Sequence, residues 1–525
     1  GAPGAPEPHD VIDVIAALID KSLVMADGDP EVRYRLLETV GVYAGERLTE
    51  AGEAVRIRSA HAAYLVELAE RAEPELRRHD QLQWAERLAE ERGNVTVAFR
   101  HLIETGDREL SLRLVAGLVW FWVLRDLEIE AGHWAVAVRD MVGDTAPPGL
   151  EEPYALCVVS AGLISEMSKD TGPTPETLAA IFDSIGEIVP ERPMHPALAL
   201  MGPASYMFSG DMDEINRQLR GTQDHPDPWV RAAGHALLAH MGINTGHIDE
   251  AADEAAEGYA RFRDLGDRFG MILGLSGMMQ VATARGDLAD AIRFGEEAYG
   301  YATAGVSPEQ GAAILTGLAR ARIQQGDVAR AREDLELALA QMDRIGEFAE
   351  AAGASLMLCE LDLREGDREA ARPHAERAYK WIEPRESRPD FAQAVRRTYS
   401  RLGGLAEEDG DLDVSVGWHL RAFSDLTNDA LMGNPTLASL VDGIAALAAA
   451  RGAPERAAEL LGTAHHLRGF RDISCYDVQR TIDAAVRALG DAAFSAAYDR
   501  GRRVTRDDVF AAGADIVHST SPPAT

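Results

Sequence analysis

Four polar side chains stand forty residues apart in this chain: His240, Gln280, Arg320 and Glu360. An imidazole, an amide, a guanidinium and a carboxylate offer donors and acceptors of different kinds. Set at one interval, such a ladder of different donors and acceptors suits a specific ligand or peptide better than a generic surface; ordinary solvated polar positions are the competing reading. The densest aromatic cluster is Trp120, Phe121 and Trp122, with Arg125 and Trp134 close behind. Adjacent rings on a helix cannot all face one core, so one of them could line an apolar pocket with Arg125 as a polar anchor. Core packing of the same rings is the alternative.

Other chemistry has little footing. His465 and His466 are neighbours, so their rings diverge by about 100° on a helix. No carboxylate or cysteine sits at ligand spacing from them, and a packing or surface role is expected, with no metal. Cys157, Cys359 and Cys475 are odd in number and far apart, which fits neither a disulfide framework nor a zinc site. They point to a reducing, cytoplasmic setting. No Ser-His-Asp or Cys-His constellation is recognisable, and carboxylate pairs are too common here for any to earn an acid-base role. No catalytic residue is assigned, and the chain is expected not to be an enzyme. The formal net charge of -34, from 52 Lys+Arg and 86 Asp+Glu, argues against a broad nucleic-acid or anionic-membrane surface. No stretch approaches the length of a membrane span, and no signal-peptide pattern opens the chain.

A repeat positions these residues. Each of the four polar positions lies six residues before a glycine: Gly246, Gly286, Gly326 and Gly366. Gly410 and Gly452 continue the series at intervals of forty-four and forty-two. Glycine takes the left-handed conformation that ends a helix. Asp287, Asp327, Asp367 and Asp411 follow as N-cap candidates for the next one. Each glycine is followed by apolar or small residues at i, i+3, i+4, i+7, i+10 and i+11, one face of a helix. After Gly246 these are Ile248, Ala251, Ala252, Ala255, Gly258 and Tyr259. Seven residues before the glycines stand Ala239, Ala319, Cys359, Gly403 and Ala445, all small, with Met279 breaking the rule. Self-similarity at such a period means a solenoid whose units bury their apolar faces only on one another.

This pattern resembles the tetratricopeptide repeat over residues 201–468, with a period longer than the usual ~34 residues. Weaker copies open at Gly210-Asp211 and Gly106-Asp107. The resemblance implies that the first helix of each unit lines a concave groove, with the four-residue ladder facing it. Gly242, Ala282, Arg322 and Asp362 are expected on the same face.

The N-terminal part reads as a helix over 11–20, a hairpin from Ser22–Met25 and Val32–Leu36 turning around 27–30, and a helix over 37–51. Helix, hairpin, helix is the closing portion of a winged-helix domain. The stretches "LIDKSLV", "RYRLLETVGVYAGERLTEAGE" and "HDQLQWAERLAEERGNVTVAFRHLIETGD" resemble actinobacterial AfsR-like and LuxR-like regulators, which are signal-transduction ATPases. "ERAAELLGTAHHLRGF" near the end is similar too. The resemblance implies the sensor half of a larger regulator, partnered by an NTPase module upstream. ATP is expected only there, since no Gly-x-x-x-x-Gly-Lys-Ser/Thr loop occurs in this chain. No direct nucleic-acid binding is expected of it.

The expected architecture is all-α, a tetratricopeptide-like α-solenoid with a small partial winged helix at its start. It divides as 1–10 tail, 11–60 partial winged helix, 61–140 helical connector, 141–205 irregular helical segment, 206–468 repeats, 469–517 capping helices and 518–525 disordered tail. The expected function is binding of a protein or small-molecule effector in the groove to control the upstream module. A constitutive scaffold for protein segments is the alternative.

Overall fold

The computed structural model describes residues 8–27, 32–168, 172, 174–186, 188–189, 193–201, 212–306, 308–424 and 432–520. The Gly210-Asp211 copy and the tip of the hairpin turn lie outside them. The described chain is an α-solenoid whose one small sheet pairs β1 (Val24–Asp27) antiparallel with β2 (Arg33–Leu36). Helices Pro8–Asp20 and Glu38–Glu50 flank that hairpin, as the sequence suggests. Arg33 ties the segment to the next helices by donating to Glu90 and Glu91 at 2.7 and 2.9 Å. Its apolar side is otherwise open: Ile12, Val14, Tyr34, Val42 and Tyr43 are all more than half exposed.

Six helix pairs make the regular array. Their first members are Pro228–Thr245, Arg268–Arg285, Pro308–Gln325, Phe348–Glu365, Ala392–Glu408 and Asn434–Ala450. Their second members are Ile248–Leu265, Leu288–Tyr301, Val328–Ile345, Arg368–Ile382, Leu412–Ala422 and Pro454–Arg468. All six marker glycines sit between the two members with φ from 75° to 90°. Asp327, Asp367 and Asp411 accept a hydrogen bond from the backbone three residues on, whereas Asp287 makes no side-chain cap. Ala251, Ala255, Ala291, Ala298, Ala331, Ala338, Ala371 and Ala375 are fully buried in the stripe. A methyl at these positions lets the paired backbones close up. Met279 is accommodated by two missing side chains: a Cβ on Gly295 or Gly317 would lie 2.7 or 2.3 Å from its thioether atoms.

The core is nearly continuous. One cluster runs from Ala62 to Leu361 and a second from Ala352 to Val517. The N-terminal helices dock on the array through a buried junction. Gln81 Nε2 donates to Asp267 Oδ1 at 2.7 Å, and Trp229 Nε1 donates to Asp267 Oδ2 at 2.6 Å. At the other end, Ser519 and Thr520 accept hydrogen bonds from Arg456 and Arg451. The described chain therefore continues packed two residues past the point where a loose tail is expected to begin.

The array curls until its last unit meets its first. Gly246 and Gly469 touch through their backbones: a Cβ on Gly469 would lie 2.2 Å from the Gly246 carbonyl oxygen. Asn434 Nδ2 donates to the Thr245 carbonyl at 3.2 Å beside this contact. Both glycines are left-handed, at 83° and 84°. Gly286, also at 83°, has open space around it. Gly286→Ala is expected to cost only the conformational penalty of about 1–2 kcal/mol. Gly469→Ala adds a backbone collision and should lower the urea midpoint further; equal losses would mean that the closure contributes nothing.

The three cysteines are free. Burial pushes the Cys157 and Cys359 thiols up to about 12. At pH 8 only about one in ten thousand is then thiolate. Both should resist a disulfide reagent in the native chain and react fully in denaturant.

Candidate functional site: a chamber inside the closed array

The curled array borders a half-open chamber of about 840 Å³, within the size range of small-molecule sites. One end is aromatic. Trp120 meets Trp229 edge to face at 5.0 Å and Phe269 at 5.4 Å, and Trp229 packs on Phe262. Ile272, Leu273 and Met279 extend this wall, and Phe470 covers it from the segment after the sixth pair. The other end is polar and carries Arg320, Arg397, Ser439 and Asp472. These four also border a second cavity of about 70 Å³ that reaches Glu360 and Arg401.

The ladder lies along this interior surface. His240, Gln280 and Arg320 line the chamber, and Arg320 and Glu360 line the smaller cavity. His240 is open to the chamber yet surrounded by protein, and that burial lowers the affinity of its imidazole for a proton. The lower rungs have partners within the chain. Arg320 Nη1 donates to Asp472 Oδ2 at 3.0 Å, and Glu360 accepts from Arg401.

Those partners belong to a strap that sequence reading does not anticipate. Residues 469–477 leave the last repeat helix at Gly469 and recross the concave face. Arg364 donates to the carbonyls of Ile473 and Ser474. Arg401 Nη1 donates to Asp477 Oδ2 at 2.7 Å. Burial opposes ionisation of Asp472 and Asp477, but Arg320 and Arg468 at the first, and Arg401 and Arg480 at the second, outweigh it. Both carboxyls are held below the usual range. The start of the segment expected only to cap the solenoid thus crosses the groove and pairs with its arginines.

The remaining candidates are distributed differently. Trp120 lines the chamber, but Trp122 is 1% exposed, stacked near Phe99 in the helical core at 6.3 Å, and outside the lining. Arg125 pairs with Glu86 at 3.0 Å and donates to the Gly305 carbonyl at 3.2 Å, bracing two helical layers. Gly242, Ala282, Arg322 and Asp362 do not share the ladder's face. Residues two apart on a helix point about 200° from each other. Gly242 meets Ala251, and Arg322 pairs with Glu296 at 2.7 Å and with Asp334. Asp362 accepts from Arg332 at 2.7 Å. His465 Nδ1 shares a hydrogen bond with the Tyr498 hydroxyl at 2.7 Å.

Arg397 is the lining residue that the ladder misses. A signal for it exists. Seven residues before each ladder position lies the same helix face, and there the sequence holds Ala233, Leu273, Ala313, Gly353, Arg397 and Ser439. Five of these six line the chamber. The Arg397 guanidinium passes Gly353, its Nη1 lying 3.8 Å from where a Cβ would stand, an ordinary contact distance.

Fold and chamber define the class: a tetratricopeptide-like helical solenoid, closed on itself around a cavity of ligand size. No family model matches the chain. Proteins from Mycobacterium tuberculosis and Mycobacterium bovis named as HTH-type transcriptional regulators are 38% identical over 119 residues. That match takes in 22% of this chain and 13% of each relative, so the chain spans a small part of their length. Among solved structures, a Rap protein complexed with competence and sporulation factor aligns over 73% of this chain and 98% of its own. Its TM-score is 0.46 at 13% identity. A signal-transduction ATPase with a tetratricopeptide repeat sensor from Pyrococcus horikoshii aligns over 76% of this chain and 54% of its own, at TM-score 0.43 and 12% identity. Among the described residues, no helix is long and apolar enough to cross a membrane.

Removing the Asp472 carboxylate should free the strap. Asp472→Ala is expected to speed amide exchange across 470–477 about ten- to hundredfold, with the helix Arg268–Arg285 unchanged. Uniform exchange in both regions would deny the strap its anchor. Because both strap carboxyls are held low, their stabilisation is complete above about pH 4 and is lost as the pH falls through their lowered values.

Proposed function

We propose that this chain is the sensor region of a bacterial transcriptional regulator, with the chamber as the effector site. The half-open cavity of about 840 Å³, aromatic on one side and lined by Arg320 and Arg397 on the other, carries this reading. Against a scaffold that holds an extended segment along the whole groove stand residues 469–477, which cross the concave face and pair with Arg320 and Arg401. The limited sequence match to HTH-type regulators supports the regulatory setting. Whether the wider regulator is of the AfsR-like or LuxR-like kind belongs to the same proposal.

The mechanism follows from which elements touch the chamber. Its walls come from Trp120, from the first, second and third repeat pairs and, across the closure, from Arg397 of the fifth pair, Pro435, Thr436 and Ser439 of the sixth, and Phe470 and Asp472 of the strap. An effector bound between them favours the closed array over any opened form by its difference in affinity for the two. The exposed apolar side of the 8–50 segment is where an upstream NTPase module would sense that change. ATP would be bound in that module.

Ser276→Trp tests the reading by filling the chamber from its wall. Thermal-shift screening of the native chain against metabolite pools should find a pool that raises the melting temperature by roughly 2–5 °C at a hundredfold excess over Kd. The folded Ser276→Trp variant should lose that shift. Retention of the full shift by the variant would place the effector elsewhere.

A further inference from the structure

Arg397 sits in the chamber's polar end, where among the described residues it makes no ion pair of its own. Four carboxylates around it are committed to other arginines, whereas exposed Glu350 is not. Asp472 accepts from Arg320 at 3.0 Å and Asp442 from Arg468 at 2.6 Å. Asp477 accepts from Arg401 at 2.7 Å, and Glu360 accepts from the same guanidinium. Glu350 and Glu360 attract Arg397 only at longer range, against repulsion from Arg320 and Arg401. Burial does most to destabilise its charged form, and the Arg320 charge adds to it. The residue is only partly buried and its guanidinium keeps contact with solvent, which a bound anion would replace with a two-pronged, charge-assisted hydrogen bond.

The rest of the chamber sets what that anion must carry. Trp120, Trp229, Phe262 and Phe269 close the opposite end. They offer rings and no charge. Between the two ends His240 and Gln280 provide neutral hydrogen-bonding groups. The chain as a whole is strongly acidic, at -34, so its outer surface gives anions no welcome. Selection for an anion would have to be made inside.

Resting on the chamber being the effector site, we infer that its ligand is a small amphipathic organic anion: one carboxylate- or phosphate-type head bound by Arg397, and an apolar body laid toward the tryptophans. Charge complementarity at one end and aromatic walls at the other assign the orientation.

Dansylaminoundecanoic acid is a suitable probe, read by energy transfer from tryptophan in the full chain. It should bind saturably and be displaced by decanoate or decyl phosphate, but not by acetate or inorganic phosphate at equal concentration. Displacement by decanoate alone or by decyl phosphate alone would name the head group. Arg397→Met should weaken the probe about ten- to hundredfold, while decanol, read by thermal shift, changes less than about twofold. Arg397→Lys, which keeps the charge, should retain part of the affinity and guards against a folding defect. Equal binding of the probe to the wild type and a folded Arg397→Met variant would overturn the anion assignment, as would decanol displacing the probe as well as decanoate. In either case loss of probe binding in Ser276→Trp would leave the chamber standing as an effector site. Unaltered probe binding in Ser276→Trp would remove both readings together.

Discussion

The turn at Gly246 and the turn at Gly469 meet backbone to backbone, and that contact decides what the rest of the solenoid becomes. An open array of six helix pairs presents a groove. Brought together at these two glycines, the same array borders a half-open chamber. The approach is possible only because neither turn carries a Cβ, and both glycines also hold the left-handed conformation that ends their helices. One residue type thus meets a local need and a long-range one at the same place.

Closure also changes what the polar interior can do. On an open concave face, arginines and carboxylates are exposed and exchange partners with water at little cost. Inside, most of them take a fixed partner. The strap of residues 469–477 supplies two carboxylates that enter the groove and take up Arg320 and Arg401. This leaves a division of labour along the concave face. The upper rungs, His240 and Gln280, look into free space, the lower rungs hold the strap, and Arg397 stands at the boundary, making no ion pair among the described residues. The junction at Asp267 plays a comparable part outside the chamber. Its two oxygens accept from Gln81 and Trp229, so the wall residue Trp229 is fixed by the helices that precede the array.

Much of the architecture was legible because it is local. A glycine before a helix, an aspartate after it and alanines at helical spacing act within one or two turns, and they recur. The ladder of His240, Gln280, Arg320 and Glu360 was legible for the same reason, since a position fixed relative to each turn keeps its face from unit to unit. The two-residue offset to Gly242 and Arg322 misled because it lies inside the same repeat while pointing at the partner helix. The strap was not legible. Gly469, Asp472 and Asp477 follow no period, and their meaning depends on residues of the first, third and fifth repeat pairs far away in sequence. Trp120 and Trp122 show the limit in one turn of helix: two identical side chains, two residues apart, one at the chamber and one in the core.

The sequence by itself determined that this protein is a helical solenoid, where each unit turns and which side chains face inward. These follow from steric rules acting over a few residues and repeated along the chain. Only the tertiary structure decided that the array closes, that its own C-terminal strap crosses the groove, and that Arg397 is left at the edge of an apolar chamber. Each of those outcomes is a contact between segments distant in sequence, and the curvature that brings them together accumulates over every helix pair at once.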